Sequence, residues 1–133
     1  MKRYKYGNDD KVVRRIKMAK VVFINAEKGA AEVRDIPDDY REIDKALGCE
    51  IFSIVGRKIG KSQKVWDIYH DDNFLFQPRT GIPTGKCTNY DEILFENIFV
   101  ARHTPSGRMK GLTDEEIKEI LDNVHSGVLF YHL

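Results

Sequence analysis

Runs of β-prone apolar residues, each closed by a turn signal, recur along this chain and are interrupted twice by residues at helical spacing. Residues 19–25 and 30–36 flank a short turn whose Gly29 can supply positive φ, which predicts a β-hairpin. Pro37 ends the second strand because it cannot donate to a ladder. Residues 38–47 then predict a helix: Asp38 is placed to cap it, Tyr40, Ile43 and Leu47 share one face, and Gly48 suits a left-handed stop. Residues 49–56 and 64–69 predict strands joined by an exposed basic turn at 57–63, and a second turn at 70–73 precedes a short run at 74–76. The longest predicted strand is 93–102, closed by a turn at 104–107. Thr113 and Glu116 have the spacing of a capping box, and Ile117, Ile120, Leu121 and Val124 follow at helical intervals. The apolar tail 128–131 either completes the sheet or forms a subunit contact.

These elements predict an α+β fold, a mostly antiparallel sheet with two helices packed on one face. With 133 residues, the chain is expected to form a single domain over 19–133 behind a basic N-terminal arm, 1–18. The arm region concentrates Lys2, Arg3, Lys5, Lys11, Arg14, Arg15, Lys17 and Lys20 against Asp9 and Asp10, as either a solvated arm or a contact for an anionic ligand or partner. A net charge of +1 argues against general nucleic-acid binding. No apolar run reaches the roughly 18 residues of a membrane span, and no apolar core follows the basic start, so neither a span nor a secretory signal is expected. Two cysteines, Cys49 and Cys87, are too few for a disulfide framework, and a cytoplasmic setting is expected.

Candidate chemistry gathers in the polar segment 77–92, with Gly81, Pro83, Gly85, Arg79 and Lys86 set between strand-forming runs. It falls short of a phosphate-binding P-loop, which needs four residues between its glycines and a hydroxyl after the lysine; here three separate Gly81 from Gly85, and Cys87 follows Lys86. A looser anion nest is open to it, with amides near Gly81 and Gly85 beside Lys86, Thr84 and Thr88. Tyr90 or Phe76 would then stack on a base and Asn89 read its edge; a plain surface loop is the other reading. Further cations sit at Arg57, Lys58 and Lys61 and at Arg102, His103 and Arg108, where they form a pocket suited to a doubly anionic small molecule if these turns converge and serve solubility if they do not. His70, Asp71 and Asp72 fit turn chemistry better than a metal site, and neither cysteine has an obvious paired base. No catalytic residues, metal or cofactor are expected.

The stretch from Lys20 to Val124 resembles a family of small uncharacterised domains encoded mainly by phages, plasmids and other mobile elements of gut bacteria. The matching features are residues 21–24, the helix end Leu47-Gly48, residues 55–59, residues 67–72 with Leu75 and Phe76, Asn97 with Ile98, and residues 111–116. Glu96 stands where that family usually has glycine, and Asn73 where an acidic turn would have one. The resemblance implies an α+β fold and a mobile-element origin, and brings no catalytic residues with it. Two readings follow. One is a homo-oligomeric counter-defence sponge holding a small anionic nucleotide signal, cyclic or ADP-ribose-like, through Arg57, Lys86, Asn89, Tyr90, Arg102 and Arg108. The other is a protein-binding inhibitor or regulatory module acting on a host defence enzyme.

Overall fold

A computed structural model describes residues 17–75 and 81–133; the greater part of the expected basic arm, and residues 76–80 with Phe76 and Arg79, lie outside the described residues. The chain runs β1 (Met18–Asn25), β2 (Ala30–Pro37), α1 (Tyr40–Leu47), β3 (Phe52–Lys58), β4 (Val65–Asp71), a 3-10 turn (Asp72–Leu75), β5 (Pro83–Cys87), β6 (Ile93–Phe95), β7 (Ile98–His103), β8 (Met109–Lys110), α2 (Asp114–Leu121), β9 (Val124–His125) and β10 (Val128–Tyr131). The main sheet has the order β2-β1-β7-β4-β3, with β8 added to β7, and a second sheet has the order β6-β5-β10-β9. Among the described residues every strand pairing is antiparallel except β5 with β10. The fold is α+β and mostly antiparallel.

Helix placement differs from expectation. Val21 and Phe23 pack with Ile43 and Leu47 of α1, while Val22 and Ile24, from the same strand, pack with Ile117 and Ile120 of α2. Successive strand residues point to opposite faces, so the helices cover opposite faces of the main sheet, and the second sheet joins α2 on its side. Burial on both faces is why β1 reads as a continuous apolar run instead of an alternating one.

On the α1 face a row of rings crosses the sheet from strand to strand. The Arg34 guanidinium lies 3.8 Å over Phe23, Phe23 stacks on Phe99 at 6.3 Å, and Phe99 on Tyr69 at 4.4 Å. Tyr69 then stacks on Phe52 at 5.5 Å, and Phe52 meets Tyr40 of α1 at 5.8 Å. Register produces the row, since Phe23 pairs with Phe99 and Phe99 with Tyr69. Each such ring pair adds about 0.5–1.5 kcal/mol beyond the area it buries.

The long strand expected over 93–102 is broken. Glu96 adopts φ 64°, and the chain leaves the second sheet at Phe95 to enter the main sheet at Ile98. The Glu96 N–H donates to the Ile82 carbonyl at 2.8 Å, and its carboxylate accepts the Ile82 N–H at 2.7 Å, which holds the corner. The tail forms β10 through a turn with positive φ at Ser126 and Gly127, so its backbone completes the second sheet. A side chain at Gly127 would lie 2.7 Å from the backbone of Gly29, which ties the two hairpin turns together.

Candidate binding cleft

Helix α1 starts where it does because Asp39, one residue after the expected cap, accepts the Arg41 N–H at 2.8 Å. Asp38 has a different role: its N–H bonds the Lys17 carbonyl at 3.0 Å and its carboxylate holds Arg108 Nε at 2.8 Å. From the last turn of α1, Asp44 reaches back to the start of β3 and accepts the Phe52 N–H at 3.0 Å. These contacts hold the helix start, the first half of β3 and the β7–β8 turn around an open cleft of about 980 Å³.

Tyr69, Phe52 and Ile43 form the cleft floor, and Tyr40, Ile51 and Ile54 its apolar walls. Tyr40 is 77% exposed, Ile51 63% and Ile54 47%, so the cleft offers unburied apolar surface. Three carboxylates (Asp38, Asp39, Asp44) against two guanidiniums (Arg41, Arg108) leave the lining with one excess negative charge. Of the carboxylates, Asp39 and Asp44 have no ion pair among the described residues. Burial raises the Tyr69 phenol above its ordinary value, and Asp67 and Asp38 add to that, so the floor stays neutral. Cys49 lies beyond Asp44, its thiol pushed up to about 11 by burial and by Asp71 and Asp44, which leaves it protonated and a poor nucleophile. The lining thus combines exposed apolar and aromatic surface with a charged rim.

The six residues expected to form a pocket for an anionic ligand do not converge on one site. Arg57 is committed to Glu92 by two hydrogen bonds, at 3.1 and 2.7 Å. Arg102, packed against the Trp66 ring at 5.3 Å, bonds Glu116 of α2 at 2.6 Å. Arg108, on the opposite face of the main sheet, bonds Asp38 and lines the cleft. Asn89 Oδ1 accepts from Cys87 Sγ at 3.2 Å and from the Leu133 N–H at 3.1 Å. Lys86 and Tyr90 are exposed, and Lys86 has no ion pair among the described residues. The expected anion nest is likewise replaced by structure: residues 83–87 form β5, and Gly85 is paired on both sides. A Cβ at Gly85 would sit 3.2 Å from both Leu94 and Tyr131, so glycine serves close packing there.

Around Glu92 the second sheet is locked to the first. Burial works against the Glu92 carboxylate, but the Arg57 hydrogen bonds and the Tyr131 hydroxyl at 2.7 Å outweigh it and hold its pKa below the ordinary value. Nearby, Lys58 and His132 exchange two backbone hydrogen bonds of 2.8 Å. This corner is structural.

Sequence reasoning took Phe52, Ile54 and Tyr69 as sheet residues and placed Tyr40 on one helix face with Ile43 and Leu47. The available signal was aromatic and apolar residues recurring on strands at both ends of a short capped helix. Among the described residues no group of three or more His, Cys, Asp or Glu is placed to hold a metal ion, and no helix is long and apolar enough to cross a membrane. No family model, curated protein or solved structure gives a significant match to this chain.

Proposed function

We propose that this chain is a non-catalytic binding module that takes a basic, partly apolar segment of a partner protein in the cleft between α1 and β3. The observation that carries this reading is the exposure of Tyr40, Ile51 and Ile54 around an aromatic floor, inside a rim with an excess carboxylate. Exposed apolar surface gathered in a concave site marks an interaction site, and aromatic walls supply contact area at low entropy cost. An aliphatic or aromatic side chain fills such a floor, and a neighbouring lysine or arginine meets Asp39 or Asp44. In the mobile-element setting that the resemblance implies, the partner is a host defence enzyme and binding inhibits it.

A small anionic nucleotide is the poorer match. Arg57, Arg102 and Arg108 each already hold a carboxylate, and a nucleotide would have to displace Glu92, Glu116 or Asp38 to use them. Thermal melting separates the readings. The full chain melts higher with basic, apolar heptapeptides, the rise is lost in Tyr40→Ala, and cyclic and ADP-ribose-like nucleotides leave the transition in place. A rise with a nucleotide and none with any peptide overturns the proposal in favour of the sponge.

A further inference from the structure

Among the described residues, strand β3 is the last strand on its side of the main sheet, and its outer edge is closed at both ends but not between them. At one end Lys58 exchanges both backbone hydrogen bonds with His132. Consecutive residues of an antiparallel strand direct their amides to opposite sides, so Lys58, Gly56, Ile54 and Phe52 form the outward set. The Phe52 N–H is taken by the Asp44 carboxylate at 3.0 Å, and the Gly56 carbonyl by Arg57 Nη1 at 2.8 Å. Between these closures the Ile54 N–H and carbonyl and the Gly56 N–H have no hydrogen-bond partner among the described residues, and both residues are exposed. Ile54 also forms part of the cleft wall, so the open edge and the cleft are one continuous surface.

We propose that the partner segment adds to β3 as an extended strand, its backbone meeting Ile54 and Gly56 and its alternate side chains entering the cleft. The proposal rests on the cleft-binding reading above and adds the geometry of binding. From Phe52 to Lys58 the edge spans about 20 Å, room for a strand of about five residues. The occupant is an extended segment with apolar or aromatic residues at alternate positions and a lysine or arginine among them, since the cleft offers rings on its floor and, at Asp39 and Asp44, carboxylates without an ion pair among the described residues. The closures at Phe52 and Lys58 keep the open edge short, which limits indiscriminate strand pairing.

The test selects random heptapeptides on the full chain by display, then resynthesises the best binder with a methyl group on each backbone amide in turn. Strand addition predicts apolar residues two apart in the selected peptides, and a loss of about tenfold or more on methylating every second amide, with the amides between them tolerant. Ile54→Pro removes one outward N–H and leaves the β3–β4 ladder intact, so this variant loses the peptide while its melting transition is kept. If every N-methylated peptide still binds and Tyr40→Ala still abolishes binding, strand addition is overturned and the cleft reading stands. If no peptide is selected, both fall. A peptide-free dimer seen by light scattering and dissolved by Ile54→Pro would assign the edge to a second copy of this chain and overturn the partner-segment proposal.

Discussion

Arg57 on β3 and Glu92 at the entry to β6 lie 35 residues apart in sequence and meet through two parallel hydrogen bonds, Nε to Oε2 at 3.1 Å and Nη2 to Oε1 at 2.7 Å. The Tyr131 hydroxyl donates to the same carboxylate at 2.7 Å, so one carboxylate joins β3, β6 and β10. Arg57→Ala leaves Glu92 half-buried without its cation and is expected to cost about 2 kcal/mol of stability in urea unfolding. Arg57→Lys keeps the charge but not the two-pronged geometry and recovers only part of the loss. Equal stability for Arg57→Ala and the parent chain would show that the pair does not lock the sheets.

The same pair sets an acid limit. Glu92 and Glu116 both have folded pKa values below the ordinary carboxylate value, so at acid pH the unfolded chain binds more protons than the folded one. Their contribution is complete above the ordinary value of 4.5 and is lost as pH falls through the lowered folded values. Glu92→Gln is therefore expected to be less stable near neutrality but to lose less stability on acidification. Parallel melting-temperature profiles for variant and parent between neutral and acid pH would contradict this.

At the corner between the sheets, Glu96 holds φ 64°, a conformation that costs a residue with a Cβ about 1–2 kcal/mol and costs glycine almost nothing. Glu96→Ala keeps that strain and loses the carboxylate bond to the Ile82 N–H. Glu96→Gly loses the bond but relieves the strain, and is expected to be about 1 kcal/mol more stable than the alanine variant. The order of the two denaturation midpoints checks it, and alanine equal to or above glycine would refute the strain.

The ring row on the α1 face separates stability from binding. Phe99 is fully buried between Phe23 and Tyr69, and Phe99→Ala is expected to cost about 3–5 kcal/mol. Tyr40 ends the same row but is mostly exposed, so Tyr40→Ala should change stability by less than about 1 kcal/mol while weakening peptide binding. Denaturant midpoints for the two variants, read beside peptide titrations, test the division.

Local chemistry was legible and long-range placement was not. The Thr113–Glu116 capping box, the left-handed stop at Gly48 and the hairpin before Pro37 depend on neighbours within a few residues, and all three stand as expected. The break at Glu96 was hidden because Glu96 and Asn97 are only two strand-poor residues inside an otherwise β-prone run over 93–102. Which face each helix covers depends on β1 being buried on both sides, which no local pattern states. The cations were misleading for the same reason. Arg57, Arg102 and Arg108 read as free charges in sequence, and their partners Glu92, Glu116 and Asp38 are brought to them only by folding. The cleft was missed because its walls come from α1, β3 and the β7–β8 turn, segments spread over some seventy positions of the chain.

The most direct test of the account is a backbone and side-chain NMR titration of the full chain with a display-selected heptapeptide. The predicted result is a contiguous set of shift changes at Tyr40, Ile51, Phe52, Ile54, Tyr69 and Arg108, with Lys86, Asn89 and Tyr90 unmoved. Shift changes centred on Lys86 to Tyr90, or on the Arg102 surface beside α2, with the cleft silent, would contradict it.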